Sequence, residues 1–440
     1  MFWVLYIYFI ILILLALFWL RRQPIYEPRV MFVLSSILWL VIGYGYYVNY
    51  EGYLAAKIFF YAETLDVLSV KVQVLMILGF TSFILGSSVN IFFSKKKVRA
   101  GEISKYPGLM SYSCILMAIG LLNFIINVFS ISNGDFINYL ATTAGRIYQI
   151  EEGKGVTTIF YIFGFIGFQL FFYLKTVRAE KCFIGMVLFF IFVLVSFSQG
   201  RMFQTVVFSG STFFVYLIAK NLYKVQANSV SYIYQIPVLA FLVILGVFFY
   251  FIRILSATYF QGIEVNSEIL GTLLSNFKHY AFERGNVPNI PVVLTLVDKI
   301  QFPDDFLFGK TIFNWVLGLV PSSLLSPKDY LISFYIKDTW YLDIDGGGLP
   351  ATSVGEWYAN FGYLGVTVGM FIMGKVFSFF YNIMIYRNNP FYIIMWANIS
   401  FGYLSVHSKV DLAQIPTFTI VFCIFLKIFY GVYLCFIRRV

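Results

Sequence analysis

The feature that most constrains this chain is a series of nearly uncharged apolar runs, most of them close to twenty residues long. Twenty residues of α-helix rise about 30 Å, the thickness of a bilayer's hydrocarbon core, so each run is a candidate span. Eleven such runs, bounded by charge or turn residues, fall at 2–20, 30–50, 72–93, 109–131, 156–174, 182–198, 202–219, 236–254, 358–380, 391–407 and 415–437. A fold in water is excluded on the same ground. With 60% of the 440 residues apolar and only 12% charged, one aqueous core would leave no polar surface to face solvent. The sequence predicts an all-α, polytopic integral membrane protein with about 11 transmembrane helices. The 21% aromatic content is scattered through the spans without a repeating box and reads mainly as lipid-facing bulk.

Charge then sets orientation, because cytoplasmic loops retain Lys and Arg. One alternate set of loops holds 16 cations, from Arg21 and Arg22 to Arg438 and Arg439, against three acids, Glu27, Glu102 and Glu180. That set is expected inside, which places the N-terminus outside and the C-terminus in the cytoplasm. The net charge of +10 is thus a topology signal rather than a nucleic-acid footprint. The first run has no basic segment before it and no small-residue cleavage site after it. It therefore reads as a span, with the mature chain starting at Met1. Four cysteines without a CxxC pair and two histidines, His279 and His407, supply neither a disulfide framework nor a zinc, haem or copper ligand set.

The outer loops are unequal. Residues 255–357 form a loop of about a hundred residues, too long for a connector, between spans one to eight (1–254) and spans nine to eleven (358–440). Within it, 266–282 reads as an amphipathic helix, and 306–325 as an apolar stretch interrupted by Lys310, Asn314 and Pro321. Irregular backbone at membrane depth is tolerated where it lines protein or water, so 306–325 is expected to be re-entrant or interfacial. A true span there would invert everything after it. The cytoplasmic loops are short, which disfavours a nucleotide-sugar site inside. No internal repeat of the kind found in secondary transporters is visible.

The most informative stretch joins the glycine turn Gly346–Gly348 to the outer end of the ninth run. On a continuous helix Glu356, Asn360 and Tyr363 fall at i, i+4 and i+7 on one face, with Glu356 at the membrane surface. Gly362, Gly365 and Gly369 give the same helix a strip of small residues for close packing. The plainer alternative is that Glu356 sits in the first helical turn and only offsets the helix dipole. Upstream, Asp343 and Asp345 form a DxD that could hold a divalent cation, but the glycines after it make a polar turn the preferred reading. No metal and no cofactor are expected, and neither a P-loop nor a GxSxG elbow is present.

Gly355, Glu356, Trp357, Tyr358, Asn360, Phe361 and Gly362, preceded by the long late outer loop, resemble the Gly-Glu-aromatic-Tyr-x-Asn-Phe-Gly element of the O-antigen polymerase family. The turn Ser198, Gln199, Gly200, Arg201 is similar to that family's Ser-x-Arg element. Near the C-terminus members carry an arginine followed by Gly and an acid, whereas this chain has Lys409, Val410 and Asp411. The resemblance implies a membrane glycosyltransferase of a bacterial inner membrane. Such an enzyme moves a growing glycan from one polyprenyl pyrophosphate to the free sugar of another lipid-linked repeat unit. It implies membrane lipids, a chain-length regulator and a flippase as partners, and no nucleic acid. Glu356 would act as base or sugar-orienting carboxylate. Arg201 would be the guanidinium that stabilises the departing pyrophosphate without a metal. Further substrate contacts are expected from Arg146, Arg253, Lys278, His279, Arg284, Asn360, Tyr363 and Lys409. An O-antigen ligase and a transporter or flippase of lipid-linked oligosaccharide remain the alternatives.

Overall fold

The computed structural model describes residues 2–37, 62–89, 106–136, 139, 155–178, 180, 183–198, 202–223, 271, 290–300, 305–312, 331–340, 349, 351–387, 389–402 and 415–437. Among the described residues the regular structure is helical throughout, with no strand. The helices are α1 (Phe2–Leu20), α2 (Pro28–Ser36), α3 (Ala62–Ser88), α4 (Leu109–Ser132), α5 (Gly155–Val177), α6 (Phe183–Ser198), α7 (Met202–Tyr223), α8 (Ile290–Lys299), α9 (Ile332–Trp340), α10 (Thr352–Arg387), α11 (Pro390–Gly402) and α12 (Ile415–Ile437). Five of these contain segments long and apolar enough to cross a membrane: Phe2–Leu20, Val67–Ser88, Leu109–Ser130, Phe160–Val177 and Thr352–Arg387. The chain is a helical membrane protein. The run at 236–254, the amphipathic helix expected at 266–282 apart from the helical residue Gly271, and the later part of 306–325 lie outside the described residues.

The side chains on α1 show why a membrane is required. Phe9, Ile13 and Leu20 are buried, while Val4, Leu14, Leu15 and Phe18 are at least 57% exposed. In water such a face would be an aggregation site, whereas in hydrocarbon it costs nothing. At its C-terminal end α1 turns sharply into α2. Glu27 caps α2, its carboxylate accepting from the backbone N–H groups of Arg29 and Val30 at 2.9 and 3.1 Å and from Arg29 Nε at 2.6 Å. Pro28 follows in the first helical turn, where a missing N–H is harmless. Burial pushes the Glu27 carboxyl up, and the Arg29 guanidinium and the two N–H groups pull it back.

The chain forms two compact units. One comprises Met1–Lys95, Leu274–Ile383 and Gly402–Ile420. In it α3 and the long second part of α10 approach backbone to backbone. A Cβ at Gly86 would stand 2.1 Å from the carbonyl oxygen of Phe371, and one at Gly374 would stand 2.3 Å from that of Phe83. The other unit comprises Lys96–Leu273, Met384–Phe401 and Val421–Val440. Here α4 and α5 meet at Gly120 and Gly164, again with no room for a Cβ. Gln169 on α5 donates to Ser211 Oγ on α7 at 2.8 Å and accepts from Asn398 Nδ2 on α11 at 2.7 Å. Interhelical polar bonds of this kind fix helix register where the apolar surroundings offer none.

The aromatic residues correct the expectation of lipid-facing bulk. Phe168, Phe192 and Phe208 are core residues of the second unit, and Phe32 stacks on Phe83 at 3.8 Å in the first. Rings fill the gaps between close-packed helices as well as facing outward.

Candidate functional site

Residues 352–387 do not form one straight helix. Phe361 (φ −146°, ψ 15°) and Gly362 (φ 62°, ψ −150°) leave helical geometry and divide α10 into a short half at 352–360, α10a, and a long half at 363–387, α10b. Glycine is the residue suited to the left-handed φ at 362. A side chain there would also strike the Phe306 ring, 2.7 Å from the nearest Cβ position.

At this break the chain doubles back. In a straight helix Trp357 and Gly369 would lie about 18 Å apart. Instead a Cβ on Gly369 would stand 2.0 Å from Trp357 Cδ2, and one on Gly365 would stand 2.5 Å from the Trp357 carbonyl oxygen. The indole Nε1 donates to Met373 Sδ at 3.2 Å. The strip of small residues expected to receive a neighbouring helix therefore receives the chain's own half-helix. Val354 packs at Gly79 of α3, and Gly355 packs against Val293 and Leu296 of α8. Thr352 starts α10a by accepting the Gly355 N–H on its Oγ1 at 3.1 Å.

A broken helix leaves carbonyl groups without partners at its last turn, and burial makes that costly. The long loop supplies what is missing. Leu307 N donates to Ala359 O at 3.1 Å, and Phe308 N donates to Asn360 O at 3.2 Å. The Asn360 side chain completes the joint. Its Oδ1 accepts from Gly309 N at 2.8 Å, and its Nδ2 donates to Thr311 Oγ1 at 2.7 Å and to Glu356 O at 2.8 Å. Residues 306–312, the described start of the 306–325 stretch expected to be re-entrant or interfacial, thus cap α10a.

The sequence expectation for the site changes in three respects. Glu356 lies beyond the first turn of α10a, which contains no acid, so the dipole-only reading loses its geometric basis. It is also buried within the protein, at 1% exposure, rather than open to solvent. Tyr363 lies across the break from Glu356 and Asn360; its ring packs edge-on to Tyr358 at 5.7 Å and is 41% exposed. The continuous i, i+4, i+7 face fails because Gly362 turns the chain.

The geometry brings Glu356 and Asn360 together on one half-helix. Arg201, Arg146, Arg253, Lys278, His279, Arg284, Lys409, Asp343, Asp345 and Asp411 lie outside the described residues. Sequence reasoning missed Trp357, Phe306, Gly309 and Thr311 as positioning residues. Gly309, Lys310 and Thr311, which break the apolar pattern just after Phe306, were the available signal. Chemically, the arrangement presents a carboxylate on a half-helix held at both ends, inside an apolar unit where charge acts over a low dielectric. No protein-family model, no curated protein and no solved structure matches the chain.

Proposed function

We propose that the chain is a polysaccharide polymerase of the O-antigen type, an eleven-span membrane glycosyltransferase acting at the periplasmic face of a bacterial inner membrane. One observation carries the reading: the residues that resemble the family's short element are the residues that build the broken helix. Gly355 meets α8, Glu356 is buried, Trp357 locks onto Gly369, Asn360 joins the cap, and Phe361 and Gly362 make the break. Discontinuous helices in membrane proteins recur at substrate sites, because they place polar groups at depth without exposing backbone to lipid.

In this reading the acceptor sugar's hydroxyl oxygen attacks the anomeric carbon of the donor. The bond from that carbon to the pyrophosphate oxygen breaks, and the electron pair leaves with the polyprenyl pyrophosphate. The hydroxyl proton passes to Glu356. Arg201 receives the developing charge with two parallel N–H donors, as guanidinium does for phosphate oxygens. Arg146, Arg253, Lys278, His279, Arg284 and Lys409 hold the remaining substrate charge, Tyr363 and Asn360 border the sugar, and no metal takes part. Because Glu356 is buried, substrate entry requires α10a or its cover to move.

A deletion strain tests this directly. Lipopolysaccharide capped by single repeat units supports polymerase activity, whereas a bare core indicates ligase or flippase activity and removes the reading. Orientation has its own test, in a chain stripped of its four cysteines. Single cysteines at the exposed positions Asp135 and Asp338 should react with an impermeant thiol reagent from outside, and one at exposed Arg178 only after permeabilisation. Labelling of Asp338→Cys only after permeabilisation would put the long loop in the cytoplasm and sink the periplasmic assignment.

A further inference from the structure

The corner between α1 and α2 gathers charge that the proposed reaction does not use. Between residues 21 and 29 the chain carries three cations, Arg21, Arg22 and Arg29, against one acid, Glu27. Glu27 is buried and committed inward, its oxygens taken by the Arg29 and Val30 N–H groups and by Arg29 Nε. The corner keeps a formal surplus of two positive charges.

Aromatic rings hold two of these cations in place. The Arg21 guanidinium carbon lies 4.0 Å from the centre of the Phe18 ring, and that of Arg29 lies 5.2 Å from the centre of the Trp19 ring. Phe18 and Trp19 are themselves 67% and 58% exposed, on the last turn of an uncharged helix of 19 residues. A span of that length ends where hydrocarbon meets headgroups, so both guanidiniums stand at phosphate depth whichever way the helix points. Arg29 commits Nε to Glu27, and its side chain keeps 20% of its surface exposed, which leaves its two terminal amino groups as donors for an outside acceptor. Arg21 and Arg22 are exposed as well. From this corner an apolar strip runs back along α1. Ile11, Leu14, Leu15 and Phe18 lie on one side of the helix, each at least 47% exposed, while Phe9, Ile13 and Leu20 on the opposite side are buried. From Ile11 to the end of the helix is about 15 Å, the depth of one leaflet.

We propose that the α1–α2 corner and this strip form a binding site for an anionic phospholipid. The headgroup phosphate accepts hydrogen bonds from the guanidiniums of the corner, and an acyl chain lies along Ile11, Leu15 and Phe18. The charge surplus selects the headgroup. A zwitterionic lipid brings its own cation to a corner that is already positive, whereas an anionic one brings only the complement. The same surplus argues against a second copy of the chain on the strip. Copies inserted in one direction would meet about a twofold axis normal to the membrane, and each would set Arg21 and Arg22 against those of the other. This inference is independent of the proposed reaction and of the side of the membrane on which the corner lies.

Native mass spectrometry of the full chain in detergent tests it, with phosphatidylglycerol and phosphatidylcholine of identical acyl chains added in equal amounts. The chain should retain phosphatidylglycerol several-fold more than phosphatidylcholine. Arg21→Gln combined with Arg22→Gln should lower that retention to the level of phosphatidylcholine. Phe18→Leu, which keeps the strip apolar but removes the ring under Arg21, should lower it in part, and it carries the test alone if the double variant fails to insert. Arg178→Gln, which removes an exposed cation of the other unit, should change nothing. Equal retention of the two lipids, retention unchanged in the Arg21, Arg22 and Phe18 variants, or an equal loss from Arg178→Gln overturns the proposal. A dimer that Phe18→Leu dissolves would put a second copy on the strip and overturn it too.

Discussion

Glu356→Gln is expected to lower the rate of polymer formation by about 10²–10⁴-fold, the usual contribution of a positioned general base, without lowering stability. The amide fills the same space as the carboxylate and keeps an acceptor oxygen. The side chain is 1% exposed, so neutralising it also removes the cost of holding a charge away from water. A structural role would move stability and activity together. A chemical role separates them. The measurement is in vitro polymerisation by purified protein at matched amounts beside thermal unfolding of the same preparations. Robust polymer from the Gln variant would eliminate the base assignment and leave Glu356 as a packing residue of α10a.

Asn360→Ala should give the opposite pattern, with stability falling by about 3 kcal/mol and activity falling with it. Three partners meet at this amide: the Gly309 N–H, Thr311 Oγ1 and the Glu356 carbonyl. Alanine leaves the buried Gly309 donor unpaired and opens a small cavity beside it, and both terms destabilise. Unfolding curves for the parent and the variant in the same detergent read the difference. If Asn360→Ala matched the parent in stability yet made no polymer, the amide would be meeting sugar rather than holding 305–312 in place.

Helix positions were legible to within a few residues wherever lipid alone decides them. The runs at 109–131 and 415–437 reappear as Leu109–Ser132 and Ile415–Ile437, because an uninterrupted apolar run has few other ways to be satisfied. α3 starts at Ala62 rather than at 72, since Glu63, Asp66 and Lys71 can continue a helix beyond the hydrocarbon layer although they end an apolar run. The pairing of Glu356 with Asn360 was legible from helical spacing. The break three residues before Gly365 was not, because a glycine between apolar residues serves equally as a packing surface or as a left-handed hinge. Gly365 and Gly369 prove to be the former and Gly362 the latter. The cap was harder still. Gly309 and Asn360 are 51 residues apart, and no local pattern connects a loop amide to a helix end that far along the chain.

The capping of α10a also bears on how the protein is made. A ribosome delivers residues 305–312 before 352–360, and during synthesis earlier segments are the first free to fold. When the half-helix leaves the translocation channel, the amides that close its last turn have already been released. A circular permutant opened between 312 and 352 would reverse that order, offering the membrane a helix end with its carbonyls bare. Biogenesis of such a rearranged chain is expected to stall at this joint even if the finished fold were equally stable; a permutant that inserted as well as the parent would show that the order of the two segments matters to architecture alone.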